Sequence, residues 1–420
     1  AMPFIATVFL TWGCMNERTA TRSRQSKRKR NADQALSRLL LDNQLDWCQP
    51  CYADAPVTPI DEDAVQAIHD ASMTILENLG VLFLNDAALS IFESQGCQVE
   101  WDSKRVRMDR AWVMEQVAKA PSHITVTPRN PDRTLIFGGR YFNFGQVASP
   151  PNVMDLDQGR RIGVRADFQN FLKLAQSYNC IHFSCGYPVE PMDLHPSIRH
   201  LDGLFDKLTL TDKVVHAYAL GTERIEDAME MVRIAAGLTH EAFDAQPRMF
   251  TNINSTSPLK HDWPMLDGAM RMAARNQMVV VSPFTLAGAM APVTLAGALA
   301  LQNAEGLAAI ALLQAVRAGA PVMYGAFTSN VDMKTGAPAF GTPEFVRAMQ
   351  ISGQLARFYG LPLRASNANA ANALDAQAVW ESAFSLQGSC SGGANLIYHA
   401  AGWMEGGLSA SFIKQWSTSL

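Results

Sequence analysis

Aromatic and neutral polar side chains recur in this sequence where its apolar, strand-like segments end. A rim of rings with few charges suits a cation that cannot donate hydrogen bonds, such as a quaternary ammonium ion. Each good cation–π contact contributes roughly 0.5–2 kcal/mol. The segment ends carry Phe144 and Gln146, Tyr187 and Glu190, His216 and Tyr218, Asn252 and Asn254, Ser282 and Phe284, Tyr324 and Phe327, Asn367 and Asn369, and Tyr398, His399, Trp403 and Glu405.

The patterns of the common catalytic motifs do not occur in the sequence. No spacing identifies a Ser-His-Asp or Cys-His set, and no Gly-rich loop opens a helix after a strand. No two histidines stand four apart on a helix, and His195 and His200 are five apart beyond a Pro-rich loop. We therefore predict no metal site in this chain.

The elements that must position these side chains follow from a central stretch, residues 278–324. A continuous apolar run at 278–281 is typical of a strand buried on both faces. A loop follows, and then a long helix that Thr294 can cap and that Gly319 ends. Gln302, Asn303 and Glu305 interrupt this apolar helix and need polar partners. A second apolar strand begins at Pro321, which completes one βαβ unit.

Such units repeat along most of the chain. Strand patterns and helical patterns alternate to give eight strands and seven helices, which is the count of a (β/α)8 barrel of the TIM type. The eighth helix should begin near Gly407, but the sequence stops at Leu420. We therefore predict a truncated last helix. The predicted strands are 142–147, 181–186, 214–220, 249–254, 278–281, 321–326, 361–366 and 395–400, and the helices other than the central one are 165–178, 197–208, 223–236, 263–275, 343–359 and 375–388.

Two further regions precede the barrel, which we assign to residues 141–420. Short helical and strand patterns at 59–140 predict an α+β accessory region. Residues 1–58 are predicted to be a basic, flexible tail. Residues 1–30 hold seven Lys or Arg and one acid, so the remainder of the chain, with 28 basic and 38 acidic residues, carries a charge of −10.

Composition limits the partners and the compartment. An acidic body argues against nucleic acid as a partner. Seven scattered cysteines, an odd number, favour a reducing compartment. No apolar run in the sequence has the length and composition of a membrane span. We expect a cytoplasmic protein, and a homo-oligomer is compatible with this fold.

Four blocks of the sequence resemble the trimethylamine methyltransferase family. They are GALALQNAEGLAAIALLQAVRAGAPVMYGAF, DMKTGAPAFGTPEF, ARFYGLPLRASN and ANLIYHAAGWMEGGL, within residues 60–408. The resemblance is to the branch without pyrrolysine, which includes glycine betaine:corrinoid methyltransferases. It implies a (β/α)8 barrel that moves a methyl group from an amine to the cobalt of a corrinoid carried by a separate protein. Since members that act on trimethylamine use pyrrolysine, a quaternary amine is the expected donor.

The residue roles are assigned from positions at strand ends. We assign the aromatic cage for the ammonium group to Tyr324, Phe327, Tyr398 and Trp403. A substrate carboxylate would be held by His399, Asn367 or Asn369, and the positive charge would be balanced by Asp332 or Glu405. We group Asp332, Glu405 and His399 as the candidate catalytic residues.

Two other functions stay open at this stage. The chain could be a non-catalytic paralogue that binds a betaine-like ligand, since a shortened last helix could leave the partner surface incomplete. It could also be a barrel lyase, which needs an acid–base pair such as Glu305 with His216. A change from Co(I) to methylated Co(III) in the presence of the amine would distinguish methyl transfer from both.

Overall fold

The structure is a computed structural model, and it describes residues 44–155 and 157–419. The basic run 22–30 and the rest of the predicted tail before residue 44 lie outside the described residues. From residue 44 onwards the chain runs irregularly towards the barrel. There it is held by the hydrogen bond from Tyr52 N to Arg140 O at 2.8 Å.

Between residues 44 and 142, three α-helices and five strands precede the barrel. Helix α1 continues as one π-helical turn, Ile75–Leu79. The boundary between the accessory region and the barrel, placed after residue 140, stays a prediction. Strand β1 of the accessory region pairs in parallel with Lys260–His261, a strand that follows the fourth barrel strand. The elements are α1 Glu62–Thr74, β1 Val81–Phe83, α2 Asp86–Ser94, β2 Gln98–Glu100, β3 Arg105–Arg107, α3 Arg110–Val117, β4 His123–Val126 and β5 Leu135–Gly138.

Eight parallel strands form the barrel, and a bridge between His216 and Phe250 joins the third and fourth barrel strands along the chain, which are the two ends of the sheet order. The predicted (β/α)8 barrel is confirmed. Continuous apolar runs predicted these strands because both faces of each strand are covered, as in MVVV of the fifth strand. The strands and helices from residue 143 onwards are β6 Asn143–Gln146, β7 Asn152–Asp155, β8 Gly159–Ile162, α4 Arg165–Ser177, β9 Phe183–Ser184, α5 Arg199–Leu210, β10 Val214–Val215, α6 Thr222–Ala235, α7 His240–Asp244, β11 Phe250–Ile253, β12 Lys260–His261, α8 Trp263–Ala274, β13 Met278–Val281, β14 Phe284–Ala287, α9 Leu295–Val316, β15 Val322–Gly325, β16 Phe327–Asn330, α10 Pro343–Phe358, β17 Leu363–Ser366, α11 Ala376–Ser391, β18 Leu396–Ala401, β19 Trp403–Met404, β20 Ser409–Ser411 and α12 Phe412–Ser419.

Helix α9 is buried between the barrel and the helices α1 to α3, which explains its apolar sequence. The expectation that no apolar run has the length and composition of a membrane span is wrong for this helix, which is long and apolar enough to cross a membrane. However, 83% of its most apolar 18-residue window is buried inside the protein. Thr294 caps it at Gly297 N, as predicted. The three polar residues that interrupt its apolar sequence all have partners: Gln302 bonds to Ser352, Asn303 to Tyr359, and Glu305 to Ser257.

The hairpin β4–β5 fills the amino end of the barrel. Its side chains Ile124, Val126, Leu135 and Phe137 pack in one cluster with the barrel interior. The interior is therefore reached from the carboxyl end of the strands, where barrel enzymes carry their sites.

Two small sheets flank that carboxyl end. One is the parallel pair β14–β16, whose first residues Phe284 and Phe327 lie opposite each other. The other has the order β19–β20–β7–β8. Trp403 in β19 pairs with Ala410 in β20.

The eighth helix of the barrel is represented by α12, which has eight residues. It packs against β18 and α4. The Phe412 ring stacks on Phe171 with centroids 3.9 Å apart. This short helix thus fills the position that follows the last barrel strand.

Candidate functional site

Six rings form a continuous series at the carboxyl end of the barrel. Three of the four side chains predicted for the cage, Phe327, Tyr398 and Trp403, belong to it. They are joined by rings that the prediction did not include in the cage. The centroid distances are 5.2 Å for Phe284–Phe327, 5.3 Å for Phe327–Phe340, 6.4 Å for Phe340–Trp403, 4.0 Å for Trp403–His399 and 5.4 Å for His399–Tyr398.

A bulge in β18 places the ring of His399 against the ring of Trp403. The register against β6 shifts between Ile397 and Ala401, and His399 within it has a φ of 57°. A bulge re-aims side chains that a regular strand would send to opposite faces. Tyr398 therefore packs in the barrel interior, while His399 lies against Trp403.

The fourth predicted cage residue, Tyr324, lies elsewhere. Its hydroxyl donates to Asn303 Oδ1 at 3.0 Å and accepts from Gln302 Nε2 at 3.3 Å, both on α9. Its neighbour Met323 packs in the barrel interior. Because side chains alternate along a strand, Tyr324 points outward to the helix layer. The structure does not bring Tyr324 together with the other three rings.

The two asparagines predicted to hold a carboxylate have their amide donors engaged. Asn367 Nδ2 donates to Ala400 O at 3.0 Å, and Asn369 Nδ2 donates to Ser382 Oγ at 2.9 Å. Their Oδ1 atoms are buried without a hydrogen-bond partner among the described residues. Free acceptor oxygens suit the positively polarised methyl groups of an ammonium ion better than a carboxylate.

The two acids predicted to balance the charge have partners of their own. Glu405 Oε2 accepts from Arg160 Nε and from Ser409 Oγ, each at 2.8 Å. Asp332 is exposed, and its Oδ1 accepts from the backbone of Lys334 at 2.7 Å in a turn. Glu405 is linked to the ring series through β19, whereas Asp332 stabilises a turn between β16 and α10.

His399 is held as a neutral imidazole. Burial, followed by the nearby charge of Arg364, lowers its pKa well below the ordinary value. Its Nδ1 accepts from Ala148 N at 3.2 Å, so the ring proton is on Nε2. His399 can therefore donate a hydrogen bond but does not supply a positive charge.

The sequence prediction missed Arg364, in β17. This residue is only 4% exposed. Its guanidinium carbon lies 4.9 Å from the ring centroid of Phe327 and 4.7 Å from that of Tyr398. The guanidinium thus occupies a face of each of two rings that we had assigned to the substrate ammonium. A basic residue within the apolar strand pattern LPLRAS is the signal that could have found it.

Buried polar atoms without a partner among the described residues are frequent at this end of the barrel. A buried polar group without a hydrogen bond costs free energy, so such atoms are candidate partners for water or a ligand. They include Asn252 Oδ1, Ser282 Oγ, Arg364 Nε, Ser366 Oγ, Tyr398 OH and Trp403 Nε1.

A cavity of about 330 Å³ lies beside this region, at the carboxyl ends of β6, β9 and β10. His216 lines it and also contacts Tyr398, with ring centroids 6.3 Å apart. Lys207 lines it too, and burial lowers the pKa of this lysine to about 7. His216 therefore forms the wall between the cavity and the barrel interior.

The arrangement offers little for acid–base chemistry. Glu305 accepts from Leu259 N at 2.6 Å, whereas His216 Nε2 accepts from Asn252 N at 3.2 Å, so the pair that a lyase would need is not assembled. Within residues 44–155 and 157–419, no three His, Cys, Asp or Glu side chains form a group that could hold a metal ion.

The fold and the site define a class: a (β/α)8 barrel with a ring-lined site at the carboxyl ends of its strands. The profile of the trimethylamine methyltransferase (MTTB) family matches residues 20–415. The chain belongs to this family.

Characterised relatives cover most of the chain. It is 37% identical to the glycine betaine methyltransferase of Desulfitobacterium hafniense (strain Y51) over 354 residues, which are 84% of this chain and 73% of that protein. It is 29% identical to the trimethylamine methyltransferase of D. hafniense (strain DSM 10664 / DCB-2) over 84% of this chain and 71% of that protein. The proline betaine:corrinoid methyltransferase of Eubacterium limosum is 26% identical over 71% of this chain and 62% of its own.

Among solved structures, the monomethylamine methyltransferase of Methanosarcina barkeri is similar with a TM-score of 0.59. The match covers 87% of this chain and 74% of that one at 9% identity. At this identity the similarity supports the fold alone.

Proposed function

We propose that this protein transfers a methyl group from a quaternary amine, such as glycine betaine, to the Co(I) of a corrinoid carried by a separate protein. The observation that carries the proposal is the ring series from Phe284 to Tyr398 at the carboxyl end of the barrel. The relatives named for glycine betaine and proline betaine support the choice of donor. The reaction is assigned to the cytoplasm, since Co(I) requires a reducing environment.

The proposed methyl transfer does not require a general acid. Co(I) supplies an electron pair to the methyl carbon, the carbon–nitrogen bond breaks, and its pair stays on nitrogen as the lone pair of a neutral tertiary amine. No proton moves in this step. The neutral state of the buried His399 is compatible with it.

The protein's contribution is to bind, desolvate and orient the amine. Trp403 and Phe340, whose ring centroids are 6.4 Å apart, present aromatic surface to the ammonium group. Asn367 Oδ1 and Asn369 Oδ1 accept the positively polarised methyl groups. Holding one methyl towards the open end of the barrel converts the encounter with the corrinoid into an oriented attack.

Methyl transfer can be tested directly by absorbance. The purified protein is mixed with Co(I) corrinoid and with glycine betaine, proline betaine, carnitine, choline or trimethylamine. The expected result is conversion of the Co(I) spectrum to that of methylated Co(III) with at least one quaternary amine. Ligand-induced thermal stabilisation without any spectral change would instead favour the non-catalytic, betaine-binding alternative.

A further inference from the structure

Arg364 is a buried cation without a carboxylate. It is 4% exposed, and none of the ion pairs among the described residues includes it. Arginine is almost never fully buried unless it is paired, because removing its charge from water costs much free energy. A fold that keeps such a residue inside its barrel leaves a place for an anion.

The contacts of the guanidinium leave one edge free. Its Nη1 donates to Ala326 O at 3.1 Å, and its carbon lies 4.9 Å and 4.7 Å from the ring centroids of Phe327 and Tyr398. Its Nε is buried and has no partner among the described residues. A carboxylate fits the Nε edge of a guanidinium with two parallel hydrogen bonds.

Two hydroxyl groups lie on the same interior side of the barrel wall as Arg364, nearer to the opening. Ser366 is two residues after Arg364 on the same strand, so both side chains share one face of β17. Ser366 is in register with Tyr398 on β18. Ser366 Oγ and Tyr398 OH are both buried without a partner in the described part of the chain.

We propose that Arg364 binds the carboxylate of the amine, so that the substrates are zwitterionic quaternary amines with a carboxylate near the ammonium group. This rests on the proposed function and narrows its substrate class. Ser366 and Tyr398 donate their hydroxyl hydrogens to the same carboxylate. A bare cation such as choline leaves Arg364 uncompensated and places a second positive charge beside it.

The position of Arg364 also sets the direction of the substrate. Arg364 is the second residue of β17 and lies deeper in the barrel than Ser366 at its carboxyl end. A carboxylate on Arg364 therefore turns the ammonium group outward, towards Trp403 and Phe340. This orientation presents the methyl groups to the opening.

The first experiment uses the unaltered protein and isothermal titration with three probes of one shape. Glycine betaine carries both charges, choline only the cation, and 3,3-dimethylbutyrate only the carboxylate. We expect glycine betaine to bind, 3,3-dimethylbutyrate to compete with it, and choline to bind at least tenfold more weakly than glycine betaine. Choline binding within threefold of glycine betaine, or no competition by 3,3-dimethylbutyrate, would overturn the inference.

The second experiment replaces the charge by an apolar side chain of similar length. Arg364→Met should weaken glycine betaine binding at least tenfold without weakening choline binding, and Arg364→Lys should lie between. The matched control is Arg317→Met, an exposed arginine at the end of α9, which should bind glycine betaine as the unaltered protein does. Unchanged glycine betaine affinity in a folded Arg364→Met protein contradicts the inference.

The two proposals fail separately. If glycine betaine binds through Arg364 but no methylated Co(III) forms, methyl transfer is refuted and the carboxylate site stands. If methyl transfer from glycine betaine proceeds and Arg364→Met binds it unchanged, the carboxylate site is refuted and methyl transfer stands. Should Arg364→Met fail to fold, the probe competition with the unaltered protein decides the matter.

Discussion

The imidazole of His399 and the indole of Trp403 lie with their ring centroids 4.0 Å apart. In the sequence, one residue precedes Gly402 and the other follows it. The bulge in β18 and the following strand β19 create this contact. Gly402 has a φ of 99°, a conformation that L side chains rarely adopt, so this position requires glycine. The sequence around residue 400 thus folds into a fixed pair of rings at the opening of the barrel.

Trp403→Ala should weaken the binding of glycine betaine. Removing the indole takes away one cation–π partner, worth roughly 1–2 kcal/mol in a desolvated site, which corresponds to about a tenfold loss of affinity. Isothermal titration measures it. The control is Trp380→Ala on α11, an indole that is 69% exposed. Equal affinities of the two variants would remove Trp403 from the site.

Tyr324→Phe should destabilise the fold and leave ligand binding unchanged. The variant loses the hydroxyl that bonds to Asn303 and Gln302, and buried partners without a bond cost about 1–3 kcal/mol. Urea unfolding measures the stability, and titration with glycine betaine measures the affinity. A loss of affinity comparable to that of Trp403→Ala would show that Tyr324 contributes to the aromatic cage after all.

The affinity for glycine betaine should be constant from about pH 7 to 9 and fall above about pH 10. Burial lowers the pKa of Arg364 to about 10, so its charge is complete below that pH and is lost above it. His399 is neutral over this range and adds no step. Titrations at pH 7, 9 and 10.5 measure the profile. In Arg364→Met the step above pH 10 should be missing; its persistence would assign it to another group.

The free energy of unfolding should fall as the pH is lowered from 6.5 to 5. Burial lowers the pKa of His182 to about 3 and of His261 to about 4, and those of His216 and His399 well below the ordinary value. The unfolded chain therefore binds more protons below pH 6.5. Each such histidine contributes up to about 1.4 kcal/mol per pH unit. Urea unfolding at pH 6.5, 5.75 and 5.0 measures the slope.

Two other kinds of buried group bear on that slope. Lys207, Lys213 and Lys414, whose pKa values burial lowers to about 7, complete their protonation in the upper part of this range and add to the fall there. Burial raises the pKa values of Glu190 and Glu305, which opposes the histidines. The variant His261→Gln should show a shallower slope than the unaltered protein. Identical slopes would contradict the assignment to buried neutral histidines.

The barrel could be predicted from the sequence because its signals are local. Continuous apolar runs mark strands that are covered on both faces, and Thr294 caps the start of the central helix. The end of this helix was predicted too late, since it ends at Val316, three residues before Gly319. The lengths of β9 and β10 were overestimated. Both strands have only two residues, and they pair with each other at Phe183–Val214 and Ser184–Val215.

The site was predicted less well because it depends on side-chain direction and on loops. Tyr324 was placed in the cage from its position at a strand end, although the alternation along β15 sends it outward. Phe340 could not be assigned, because it reaches the rings from the loop between β16 and α10. Arg364 was overlooked because it lies within the predicted strand 361–366, whereas only side chains at or beyond the strand ends were considered for the site.

The hairpin β4–β5 at the amino end has a consequence for the order of events. Since it fills that end, the amine and the corrinoid protein approach the same opening. Under the proposed reaction the amine must enter before the corrinoid protein docks, and the demethylated product leaves only after the partner has departed. The partner protein then carries the methyl acceptor and also closes the opening of the barrel. An excess of the partner should slow turnover, because it docks on barrels that have not yet bound the amine.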